Sequence, residues 1–149
     1  MRTIGAICDK AAVRYTVVAD DGAPIDAELA VPASKVARGE QLNWLLEELE
    51  DLLQKTSPRA VWVKKAGGGQ FASSPARHEV EAVVQLAAHR TGVACELKNT
   101  EQLRSAAGVG KGKGAYDSLL ARDDVAARPS KDKRERYLYA HIALRSGGG

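Results

Sequence analysis

Two lysines alternate with glycines in Gly108–Gly114, GVGKGKG. Glycine has no Cβ, so backbone N–H groups in such a loop can approach an anion closely, and Lys111 and Lys113 add attraction for phosphate. The alternative is a solvated loop that binds nothing. A nucleotide P-loop is a poorer description, because GK[ST] is missing and the segment follows a helix instead of a strand. A second pair, Lys64 and Lys65, closes the apolar run AVWV just before Gly67–Gly69. Open α/β sheets hold ligands at the C-terminal ends of their strands, so these lysines are phosphate contacts or else ordinary solvated charges. Lys131 and Lys133 begin the run KDKRER, and Arg104 lies one segment earlier. Positive charge near a helix N-terminus opposes the helix dipole, a local conflict that favours a binding role.

Other chemistries lack support. There is neither a GxSxG elbow nor a Cys/His signature for a nucleophile. Cys8 and Cys95 fall in strand-like segments without a CxxC, and read as reduced, buried thiols. Glu79 and Glu81 are two apart on a helix and point in different directions, which makes them surface charge. His78 and His89 read as exposed, and His141 falls on an apolar stripe, where a core histidine is the ordinary role.

Those groups need elements to position them. Thr3–Cys8 (TIGAIC), Arg14–Ala19 (RYTVVA) and Asp26–Val31 (DAELAV) read as three strands joined by short turns, hence antiparallel neighbours. Leu42, Leu45, Leu46, Leu49, Leu52 and Leu53 then follow a helical period, with acids on the other faces. Ala60–Val63 is a short buried strand. Ser73 or Ser74 before Pro75 caps a helix that runs to Gly92. Val93–Leu97 is a fifth strand, followed by helices over Thr100–Ala107, about Ala115–Arg122, and Lys131–Leu144. The expected class is α/β, a five-stranded mixed sheet with helices on both faces. One domain spans 1–145, and 146–149 (SGGG) is a flexible Gly-rich tail.

Bulk properties agree with that reading. With 149 residues, 44% of them apolar and 28% charged, the chain can bury one ordinary core. No apolar run is long enough to span a bilayer, and Asp9 and Lys10 interrupt the opening apolar stretch, so no signal peptide or membrane association is expected and the location is read as cytoplasmic. The net charge of +3 hides an asymmetry: from Lys98 onward there are 11 basic against 6 acidic residues. A basic C-terminal third suits a phosphate backbone. Aromatic residues are only 5% of the chain, which leaves few platforms for stacking bases.

The order β-β-β-α-β-α-β-α resembles the ribonuclease H superfamily, and KNTEQLRSAAGVGKGKGAYDSLL (98–120) narrows the resemblance to its RuvC-like, Holliday-junction-resolvase branch. SPRAVWVKK after an amphipathic helix, and the glycine-bearing loop with the helix beyond it, agree in order and length. FASSPARHEVEAVVQL is also similar to an uncharacterised bacterial family on this plan. The resemblance implies a nucleic-acid partner, DNA or RNA, and a homodimer. It also implies catalytic carboxylates that gather two divalent ions to activate water.

Carried over position by position, the first-strand acid falls at or beside Asp9. The acid that closes the fourth strand falls at Lys64 or Lys65, where an ammonium repels a metal instead of binding it. The acids of the last helix fall at Asp132 and Glu135, with His141 as a further conceivable ligand. The expectation is therefore a nucleic-acid-binding domain without nuclease activity and without a cofactor. It would contact phosphate through Lys64, Lys65, Arg104, Lys111, Lys113, Lys131 and Lys133. One alternative is a divergent Mg²⁺- or Mn²⁺-dependent endonuclease using Asp9, Asp132, Glu135 or His141. The other is a scaffold for a protein partner.

Overall fold

The computed structural model describes residues 1–66, 74–112 and 114–146. Lys113, Gly67–Gly69, Ser73 and the tail from Gly147 onward lie outside the described residues. The chain opens with β1 (Arg2–Asp9), β2 (Ala12–Ala19) and β3 (Ile25–Ala30), followed by α1 (Arg38–Thr56), β4 (Ala60–Lys64), α2 (Pro75–Thr91) and β5 (Ala94–Lys98). It ends with α3 (Thr100–Ala106), α4 (Ala115–Leu120), α5 (Asp123–Ala126) and α6 (Lys131–Ser146). The sheet order is β3-β2-β1-β4-β5, with β1–β2 and β2–β3 antiparallel and β4 and β5 parallel to β1. This is the five-stranded mixed sheet expected from the sequence. No described helix is long and apolar enough to cross a membrane.

Element ends follow local chemistry. α1 stops where Ser57 turns left-handed (φ 46°) and donates its N–H to the Leu53 carbonyl; Pro58 then blocks continuation. α2 has Pro75 in its first turn and Gly92 as a left-handed cap. α3 begins at Thr100, as read from the sequence, and Asn99 is its cap, exchanging hydrogen bonds with Gln102 in a capping box. The short α5 falls between the helices expected over about Ala115–Arg122 and Lys131–Leu144, and it is kept by the fully buried Val125.

Alternation along β1 divides the core in two. Ile4, Ala6 and Cys8 face the layer of α1 and α2, where Leu45, Leu49, Leu53, Val80 and Val84 close the first cluster. Burial raises the Cys8 thiol to about 12, with Glu81 adding to the effect, and Cys95 to about 11, so neither is a ready nucleophile. Thr3, Gly5, Ile7 and Asp9 face the other way, toward α6. There Leu138, Tyr139, Ile142, Trp62, Leu103 and Leu119 form the second cluster. Thr3 donates its hydroxyl to the Ala140 carbonyl at 2.6 Å in a buried setting. At Gly5 the crossing is so close that a Cβ would collide with the Arg136 carbonyl oxygen and lie 2.7 Å from the Ala140 nitrogen. α6 therefore lies directly on the central strand, and its first turns reach the C-terminal edge of β1 and β4.

Candidate nucleic-acid interface

Residues paired in register share a sheet face. One row across the α6 side therefore reads Glu28–Arg14–Ile7–Lys64–Lys98, from the β3 edge to the β5 edge. The centre of the row is apolar, and three of its four other members are cations. Ile7, 6% exposed, is the β1 residue that lines the cleft at this edge, beside Lys64. Asp9, one step further along the same face, turns outward and is 59% exposed. The strand acid expected at the site is thus displaced to the rim, because β1 has already reached its last residue there.

α6 places two acids over this row, and each is already matched by a cation. Glu135, 6% exposed at its side chain, accepts from Lys64 Nζ at 2.5 Å and from the Tyr116 hydroxyl at 2.6 Å on the same oxygen, Oε2. Burial and that bond push the Tyr116 phenol well above its ordinary range. Asp132 Oδ2 accepts from Arg14 Nε at 3.1 Å, and Arg14 Nη1 reaches Asp9 Oδ2 at 3.3 Å, so one guanidinium bridges two carboxylates. Arg136 Nε lies 2.9 Å from Asp132 Oδ1 without the alignment of a hydrogen bond, so that contact is charge pairing. The Lys10 backbone N–H, followed by Arg14, holds the Asp9 carboxyl below its usual range.

The cleft beside these pairs has a volume of about 680 Å³ and is lined by Lys64, Lys65, Arg77 and the Asn99–Thr100 entrance to α3, with Asp132 and Glu135 as the α6 wall. Lys65 is exposed, and its backbone N–H bonds the Lys98 carbonyl, continuing the β4–β5 ladder. The Lys98 ammonium lies 4.5 Å over the Trp62 ring. Arg77 donates to the Lys64 carbonyl at 3.4 Å, while its buried Nε has no hydrogen-bond partner.

Glu81 corrects the sequence reading of a surface charge. It is 2% exposed and accepts the Ala66 N–H at 2.8 Å, with Arg77 and His78 each 3.6 Å away. Its place next to Val80 on the inward stripe, one turn after Arg77, was the available signal. Arg38 then fixes the start of α2, donating to Glu79, to the Ala76 carbonyl and to the Lys10 carbonyl, each at 2.8 Å.

The remaining expected residues fall outside the cleft. Arg104 and Lys111 share a second hollow on the outer side of α3, where Arg104 donates to the Gly110 carbonyl at 3.2 Å. Lys133 lines a hollow near β3 with Arg14 and Asp26, and Lys131 is exposed at the start of α6. His141 is not brought to the acids. It lies further along α6, near Val18–Asp20 at the opposite end of the sheet, stacked on Tyr137 and accepting from Arg145 Nε at 3.0 Å. Arg77 on the cleft wall, and Arg14 and Tyr116, which bond the wall acids Asp132 and Glu135, are the residues that sequence reasoning missed. Only Arg14 left a trace, as a charge inside a strand.

Two divalent ions would need hard anionic oxygens converging without competing cations. These residues do not fit that need. Lys64 and Arg14 occupy the inner oxygens, Ile7 is the floor, and among the described residues no three His, Cys, Asp or Glu side chains form a metal-binding group.

No family model and no curated protein matches the sequence. Solved structures do. RuvC from Thermus thermophilus superposes with a TM-score of 0.72 over 99% of this chain and 97% of its own, at 18% identity. The complex of Thermus thermophilus RuvC with a Holliday junction substrate gives 0.71 over 100% and 98%, at 16% identity. The yeast mitochondrial Holliday junction resolvase gives 0.56 over 97% and 78%, at 11% identity. The chain has the ribonuclease H-like fold, and its structural neighbours are RuvC-type Holliday junction resolvases at low sequence identity.

Proposed function

We propose that this chain binds the phosphate backbone of nucleic acid and does not cut it. The observation that carries the reading is the distribution of cations at the C-terminal edge of the sheet. Lys64 and Arg14 are matched by acids, whereas Lys65 and Lys111 are exposed and form no ion pair among the described residues. Arg77 on the cleft wall is paired with the buried Glu81 through Nε at 3.6 Å, a charge contact without a hydrogen bond. Lys65 and Arg77 at the cleft, with Arg104 and Lys111 beyond α3, make two basic patches separated by one short helix. That spacing suits a backbone tracked across a surface more than a single small anion. Lys131 and Lys133 extend the basic surface along α6, and Lys113 belongs to the same Gly/Lys loop. A likeness to RuvC bound to a Holliday junction substrate makes branched DNA the first ligand to test.

Contacts of this kind read backbone instead of sequence, and they weaken steeply with salt. Fluorescence anisotropy with a four-way junction, a duplex and a single strand, at several salt concentrations, tests the reading. The double variant Lys65→Ala, Lys111→Ala should lose about tenfold in affinity and reduce the salt slope by roughly 2. Unchanged binding would sink it. A cutting activity would have to use Asp132 and Glu135, which do line the cleft. Mg²⁺- or Mn²⁺-dependent cleavage of the junction that Glu135→Gln abolishes would replace the proposal with that one.

A further inference from the structure

We infer that Lys64 and Arg14 are permanent counter-cations of the α6 acids, so that the cleft is complete without a divalent ion, and that Lys64 is the residue that closes it to one. The inference concerns the acids and their charge balance, and it stands or falls independently of nucleic-acid binding. In the transverse row, Arg14 and Lys64 flank Ile7 on either side. Their charged ends reach three different carboxylates: Arg14 takes Asp9 and Asp132, and Lys64 takes Glu135. A carboxylate that is only 6% exposed is costly to leave without a compensating cation, and an ion or a fixed side chain serves equally. The fixed side chain has the advantage of local concentration, since it is tethered by a strand.

The two cations are not equivalent. Arg14 is held from two sides by Asp9 and Asp132, and Asp132 also has Arg136 at 2.9 Å. Removing Arg14 would leave Asp132 paired. Lys64 is the only cation on Glu135 among the described residues; the other partner is the neutral Tyr116 hydroxyl. Replacing Lys64 with an acid would put two carboxylates and a phenol oxygen together, with Asp132 on the same wall of the cleft. Hard oxygens of that number attract Mn²⁺ or Mg²⁺, and the repulsion between them is relieved only by such an ion.

The test is thermal unfolding in EDTA and in millimolar Mn²⁺, with Mn²⁺ binding read separately by electron paramagnetic resonance. Wild type should unfold at the same temperature in both and leave the free Mn²⁺ signal undiminished. Lys64→Glu should unfold earlier in EDTA, and rise by roughly 3–6 °C once Mn²⁺ exceeds its dissociation constant about tenfold. Lys64→Met should also unfold earlier but show no response to Mn²⁺, which separates a cation site from general destabilisation. Bound Mn²⁺ or a Mn²⁺-dependent rise in wild type overturns the inference, even if Lys64→Glu fails to fold. A folded Lys64→Glu that takes up no Mn²⁺ overturns the assignment of Lys64 as the closing residue.

Discussion

Removing the negative charge of Glu135 should cost more stability than its single position suggests. The side chain is 6% exposed, and one oxygen accepts from both Lys64 and Tyr116. Breaking a buried ion pair by deleting one partner costs about 3–5 kcal/mol, because the other charge is left without an answer. Lys64 is 25% exposed, so its ammonium can turn toward water and recover part of that cost. In Glu135→Gln the amide oxygen still accepts the Tyr116 bond, which retains about 1 kcal/mol. The net loss should be about 2–3 kcal/mol, or roughly 5–10 °C in midpoint for a domain of this size. Lys64→Met should cost about as much, since it leaves the more deeply buried partner charged. The double variant should cost clearly less than the sum, with a coupling of about 2 kcal/mol. Urea unfolding followed by far-ultraviolet circular dichroism measures all four corners of the cycle. A coupling below about 0.5 kcal/mol would show that the two charges do not meet, and would remove the physical basis for Lys64 as the counter-cation of Glu135.

Two further outcomes follow from the packing. Gly5→Ala places a methyl group against the Arg136 carbonyl and the Ala140 nitrogen, backbone atoms that have no rotamer to escape into. It should cost at least ~3 kcal/mol, and a Gly5→Ala protein of wild-type midpoint would refute the close crossing of α6 over β1. Burial, followed by Arg145, lowers the His141 pKa below its ordinary 6.5, so the unfolded chain binds the proton more readily. Stability from this group is complete above pH 6.5 and is lost as pH falls through the lowered value. His141→Gln should flatten unfolding midpoints across that interval, and an unchanged pH profile would count against it.

Much of the architecture was legible in the sequence, because it depends on local period and punctuation. Two-residue alternation in DAELAV, the leucine spacing in α1, Pro75 and Gly92 each act within a turn or two of chain. The same local logic located the basic loop around Lys111 and showed that β4 ends in lysine where the resemblance called for an acid. Its reach ended at Glu81, where a surface reading from spacing met an inward-facing carboxylate. It ended also at His141, which shares a helix with Glu135 but lies toward the other end of the sheet.

The sequence by itself determined the order of elements, the five-stranded mixed sheet and the absence of an acid at Lys64. Tertiary structure alone decided what the cations at the strand ends do. Lys64 meets Glu135 across 71 residues of chain and Arg14 meets Asp132 across 118, pairings set by strand register and by the crossing of α6 at Gly5. No local period encodes them, because electrostatic pairing depends on distance in space, which only the packed sheet and helix define.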